Sequence, residues 1–167
     1  MRQISATGNS RGFTLLELML VVLIIGLLAV TVSLALPDST RQLLERDGRR
    51  LYAQIGLAAE QAVYRNQDYG LRVNSQEYGF FRRQGETWTP VDPLSRLSAQ
   101  PLAEGVRLSL AMGGQRLDLD QEQPQVLIVS DGQLSPFALS LSHPDVARTL
   151  QIEASFGGDL RLREVTP

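Results

Sequence analysis

The sequence predicts an α+β fold: a long N-terminal, transmembrane helix followed by an antiparallel β-sheet or sandwich-like domain. Three observations predict it. Residues 13–36 form an apolar run of about two dozen residues, enough at ~1.5 Å rise per residue to cross a hydrocarbon core. From Arg41 to about Asn66, apolar residues recur at helical spacing. After Gln67 the period drops to two, the spacing of half-buried strands. The boundaries that follow are a polar segment 1–12, the apolar helix 13–36, its continuation 37–66 and a β-rich domain 67–167.

Within the apolar run Glu17 is the only charged residue. A carboxylate near the centre of a bilayer costs roughly 2.5–3.5 kcal/mol on insertion scales, less near an edge, so it marks a functional site that needs a partner. Arg2, Arg11 and the initiator amine precede the run with no acidic residue among them. The positive-inside tendency keeps that flank in the cytoplasm and exports the remainder. An ordinary secretory signal has a shorter apolar core and a small-residue cut site beyond it, and Leu34-Ala35-Leu36-Pro37 is a poor match. A plain single-pass anchor explains the length but leaves Glu17 without a reason.

The junction itself carries a resemblance. Gly12-Phe13-Thr14-Leu15-Leu16-Glu17 resembles the leader junction of type IV pilins and type II secretion pseudopilins. The resemblance implies that 1–12 is a prepilin leader, that a prepilin peptidase cuts after Gly12, and that the new N-terminus, Phe13, is N-methylated. Elementary geometry agrees with it. Cleavage creates an amine at Phe13, and positions i and i+4 share one helix face. Glu17 then has a cation to meet on its own chain or a neighbour, which offsets its burial and sets subunit register.

The exported part begins at Pro37-Asp38-Ser39-Thr40, a proline and three N-cap residue types that signal a kink or restart. Leu44, Leu51, Ile55, Ala58, Ala62 and Val63 then form one apolar face, while Arg41, Glu45, Arg49, Glu60 and Arg65 take other positions. Gly48 and Gly56 weaken this helix by up to about 1 kcal/mol each and mark bends or close packing. Strands follow at Tyr69–Val73 and Glu77–Arg82 around an Asn74-Ser75-Gln76 turn, with Thr87–Thr89 extending the meander. Asp92–Gly105 reads as a long surface loop. Val106–Leu110 turns at Gly113-Gly114 into Arg116–Leu119. Gln125–Ser130 is apolar on both faces, a buried strand, and Asp131-Gly132 is a hairpin signal into Phe137–Leu141. The last pair, Thr149–Phe156 and Leu160–Val165, turns at Gly157-Gly158-Asp159.

These soluble segments resemble the minor pseudopilin H family of type II secretion systems. The resemblance rests on Ala58–Ala62 running into Tyr69–Val73, on Tyr78-Gly79-Phe80, on Gly105–Leu108 and above all on Pro124–Phe137. It implies a pilin-like fold and a structural role as a low-copy subunit near the tip of the periplasmic pseudopilus, supporting export of folded proteins across the outer membrane. The implied partners are the other minor pseudopilins and the major pseudopilin. The implied location is the inner membrane, single-pass, with the C-terminal domain periplasmic. A minor pilin of a type IV pilus, serving pilus assembly or DNA uptake, is the alternative.

Composition narrows the chemistry. The chain has 167 residues, no cysteine, one histidine and formal net charge −2. Disulfides and thiol chemistry are excluded, and no overall nucleic-acid footprint is apparent. His143 in Ser140–Asp145 reads as a loop histidine before proline, since a triad is defined by converged geometry. Asp118, Asp120 and Glu122 lack the EF-hand glycine and distal glutamate, and read as solvated carboxylates. No phosphate-binding, dinucleotide or metalloprotease motif is present, so the expectation is a protein without cofactor, metal or enzymatic activity. Arg148, Arg161 and Arg163 form a weak candidate DNA patch diluted by Glu153, Asp159 and Glu164, and Asp92–Gly105 is a candidate surface for secreted cargo.

Overall fold

The computed structural model describes the backbone of residues 15–35 and 39–166, and side chains of 15–27 and 39–166. Two units are described separately, one containing α1 and one beginning at Ser39. Helix α1 (Leu15–Ala35) has 21 residues. Its described side chains end at Leu27, and among the described residues no helix is long and apolar enough to cross a membrane. The predicted break at Pro37-Asp38 and the ends of the 13–36 helix lie outside the described residues.

Helix α2 (Ser39–Arg65) has 27 residues. Its buried stripe, Leu44, Asp47, Gly48, Leu51, Ile55, Ala58 and Ala62, repeats at three, four and seven. The stripe ends in a left-handed cap. Asn66 has φ 49°, its N–H bonds Val63 O, and Gln67 N–H reaches back to Ala62 O at 3.0 Å. These two bonds satisfy carbonyls that the last turn leaves open. Gly48 fits the close-packing reading, since a Cβ there would lie 2.7 Å from Leu150 Cδ1. Nothing lies within 4 Å of a Cβ at Gly56, so no such contact accounts for it.

Two antiparallel sheets share one core with α2. The first orders its strands β3 (Thr87–Pro90), β2 (Glu77–Gln84), β1 (Tyr69–Val73) and β7 (Val126–Ile128), with β4 (Gln100–Pro101) also on β2. The second orders β10 (Leu160–Val165), β9 (Val146–Ala154), β8 (Phe137–His143), β5 (Arg107–Met112) and β6 (Gln115–Arg116). Alternation decides which side of each strand is inside. Tyr69, Leu71 and Val73 point into the core opposite Arg82, Phe80 and Tyr78, while Gly70 and Arg72 take the other face. Leu139, Leu141 and Ile152 fill the core from the second sheet, each fully buried at 0% exposure. Burial of each such side chain contributes about 1.5–3 kcal/mol.

Several expectations are corrected. The strand at 125–130 is not buried on both faces: β7 is three residues long and Leu127 is 41% exposed. Among the named strands it pairs with β1, and Leu127 alternates outward between the buried Val126 and Ile128. Asp131-Gly132 does turn the chain, yet the turn folds back on β7 through an Ile128–Leu134 bridge, and β8 belongs to the other sheet. The hairpin into β9 lies instead at Pro144-Asp145, which makes His143 the last residue of β8 rather than a loop residue. Arg116–Leu119 yields only the two-residue β6. The Asp92–Gly105 segment contributes β4 to the first sheet and buries Leu97 completely.

Candidate functional site

Glu17 lies in the first turn of α1, where a carboxylate faces the positive end of the helix dipole. Gly12 and Phe13, the predicted processing pair, lie outside the described residues. Around Glu17 the helix is apolar on every side. Leu15, Leu16, Leu18, Met19 and Val22 are 60–78% exposed, and the uncovered run continues to Leu27 at 68%. A helix apolar all round has no preferred inward face, so its apolar surface must be covered by lipid or by other helices.

The second constellation was not foreseen. Asp47, on the buried stripe of α2, is 0% exposed. Its Oδ2 accepts the Ala103 N–H at 2.8 Å. Its Oδ1 has no hydrogen bond among the described residues and is held by charge, 3.4 Å from an Arg50 terminal nitrogen and 3.6 Å from Arg46 Nε. Arg50 spreads its fork over the loop and sheet. Nε donates to Tyr78 Oη at 3.2 Å, and the terminal nitrogens donate to Gln100 Oε1 at 3.4 Å and Pro101 O at 3.2 Å. Tyr78 Oη donates to Gln54 Oε1 at 2.7 Å, and Gln54 Nε2 donates to Arg96 O at 2.6 Å. Burial pushes the Tyr78 phenol up from its ordinary 10.0; the Arg50 charge and hydrogen bond oppose this, and Asp47 adds to it.

Asp47, Arg50 and Gln54 stand at i, i+3 and i+7, one face of α2, and together they tie down the 96–103 segment. The sequence held one signal for this latch: an aspartate at a position where the apolar period calls for a hydrophobe, three residues after Leu44 and four before Leu51.

The other sequence candidates are dispersed. Arg148 pairs with Glu164 at 3.1 Å, Arg163 pairs with Glu153, and Arg161 lines a pocket beside Glu153 and Asp159. The basic patch is thereby largely neutralised. The Asp118 carboxylate accepts the Asp120 N–H at 3.1 Å, a local turn. His143 Nδ1 accepts the Asp145 N–H at 3.1 Å, and its ring lies against Gly105, where a Cβ would clash with Nε2.

The family model of the type II transport protein GspH matches residues 47–158. The chain belongs to this family. A second model, the prokaryotic N-terminal methylation motif, matches residues 7–33 and so spans Gly12, Phe13 and Glu17. Type II secretion system protein H of Pseudomonas aeruginosa is 36% identical over 148 residues, covering 80% of this chain and 83% of that protein. The Vibrio cholerae protein of the same description is 28% identical over 184 residues, covering 92% and 94%. Among solved structures, the minor pseudopilin EpsH of Vibrio cholerae superposes with a TM-score of 0.65 at 24% identity, covering 74% of this chain and 94% of that one. The solution structure of E. coli GspH gives 0.59 at 24% identity, covering 79% and 94%. The α+β, pilin-like architecture is therefore shared, and the chain is a type II secretion minor pseudopilin of the H class. The type IV pilus alternative is not favoured. Family and motif together imply a membrane-anchored, peptidase-processed, pseudopilus-forming protein.

Proposed function

We propose that this pseudopilin is cut after Gly12 by the prepilin peptidase, N-methylated on Phe13, and drawn from the inner membrane into the pseudopilus near its tip as a low-copy subunit. There it supports export of folded proteins across the outer membrane. Before cleavage the leader is cytoplasmic, residues 13–36 span the bilayer, and the domain from Ser39 is periplasmic. After assembly α1 exchanges lipid for the apolar helices of the other minor pseudopilins and the major pseudopilin. The role is mechanical, with no catalytic residue and no cofactor.

The observation that carries this reading is α1 itself: uncovered apolar side chains on all sides, with one carboxylate in the first turn. Glu17 pairs with the Phe13 amine of its own or a neighbouring chain and fixes axial register, where a desolvated pair adds specificity more than stability. Glu17→Ala is expected to leave cleavage and domain stability unchanged and to lower incorporation about tenfold, equivalent to ~1.4 kcal/mol. The measurement is the variant's recovery in sheared pseudopili against its membrane pool. Wild-type recovery removes the registry role.

A further inference from the structure

At the end of α2 remote from Ser39, about 39 Å along the helix axis, lies an open polar cleft of about 520 Å³ lined by Arg65, Gln67, Asp68, Arg83, Gly85 and Ser130. Its arginines are prepared for a ligand in different ways. Arg83 places its guanidinium carbon 5.9 Å from the Trp88 ring centroid, a cation–π contact, and donates Nε to Gly85 O at 3.2 Å. Its two terminal nitrogens have no hydrogen-bond or carboxylate partner among the described residues. Arg65, on the last turn of α2, has no ion pair there either. The acid in the cleft is already engaged: Asp68 Oδ1 accepts the Ser130 N–H at 2.9 Å. Beside Arg65, Tyr64 is 90% exposed.

We infer that this cleft is a docking site for a carboxylate-bearing, acidic segment of a neighbouring protein subunit. A guanidinium anchored beside an indole and through Nε to a backbone carbonyl is pre-organised for pairing with carboxylate, so less side-chain entropy is lost on binding. Arginine, tyrosine and tryptophan are also the side chains that most often anchor protein interfaces. Nucleic acid fits worse. Two arginines in one cleft can meet a short acidic segment, whereas tracking a phosphate chain takes a longer line of basic side chains than the cleft supplies. The identity of the neighbour as another pseudopilus subunit rests on the function proposed above; the chemistry of the cleft does not.

The test uses the full chain in detergent micelles titrated with hexaglutamate, acetate or a single-stranded DNA oligonucleotide, following Arg Nε–H and Ser130 amide resonances. The expected result is saturable shifts at Arg65, Arg83 and Ser130 with hexaglutamate, weakening as salt rises. Arg83→Gln and Arg65→Gln, both at exposed sites, are each expected to weaken binding about tenfold. Arg49→Gln, on the same helix outside the cleft, is expected to leave it unchanged. Absence of saturation, equal shifts at all exposed arginines, saturation by acetate alone, or tighter binding of the oligonucleotide overturns the proposal. Because binding is read on the isolated chain, a normal Glu17→Ala phenotype leaves this result standing.

Discussion

The two helices are separated by three residues and solve opposite problems. α1 is apolar in every direction with a single carboxylate at its start, whereas α2 is apolar on one stripe with a single carboxylate inside that stripe. In α2 the buried acid finds its partners within the fold, at Ala103, Arg46 and Arg50. In α1 the apolar surface has no side, and in the proposed function the acid pairs with the Phe13 amine that cleavage creates. The difference teaches that a charge in an apolar helix is to be read by its surroundings: the carboxylate on the one-sided helix closes a domain, and the one on the all-round helix is, in the proposed function, a registry group.

The largest expected effect breaks the α1 side outright. Gly12→Val is expected to abolish processing, leaving a full-length precursor by mass spectrometry and no Phe13 amine; a normally cleaved product contradicts the peptidase assignment. Next, Asp47→Ala strands the Ala103 N–H and removes the counter-charge from Arg50. It is expected to lower domain stability by about 2–3 kcal/mol in chemical denaturation, while leaving cleavage at Gly12 intact. An unchanged midpoint removes the latch as a stabilising element. The smallest effect is Tyr78→Phe, about 1 kcal/mol at neutral pH from the lost hydrogen bond to Gln54.

The same variant sharpens the pH dependence. Burial raises the Tyr78 phenol, so its neutral form is favoured in the fold. Above pH 10.0 the unfolded chain ionises first, and stability is lost as pH rises toward the folded value. Melting curves at rising alkaline pH are expected to show this loss in the native chain and a smaller one in Tyr78→Phe; identical slopes remove the assignment to Tyr78.

Local structure was legible because local chemistry determines it. The α2 stripe, the Asn74-Ser75-Gln76 turn, the Tyr69–Val73 strand and the Gly157-Gly158 turn all lie where their periods and turn residues put them. Pairing was less legible, because it depends on residues far apart in the chain. Asp131-Gly132 announces a turn truthfully, but no property of those two residues specifies that the chain leaves for the other sheet. The apolar run at 125–130 suggested two buried faces, yet β7 is an edge whose Leu127 alternates outward from Val126 and Ile128. The latch escaped for the same reason. Its members come from residues 47–54, 78 and 96–103, and only the misplaced Asp47 betrayed it. At the processing junction the reverse holds: Gly12, Phe13 and Glu17 are contiguous, so the motif could be read in one line of sequence.

The close seating of Gly48 on Leu150 has a consequence for load. A pull delivered along the chain from α1 enters the domain at Ser39 and within a few turns reaches Gly48 on β9, Asp47 on the 103 amide, and Arg50 on β2 and the 100–101 segment. These attachments stand nearly level along the helix, so they share tension in parallel and do not unzip one after another.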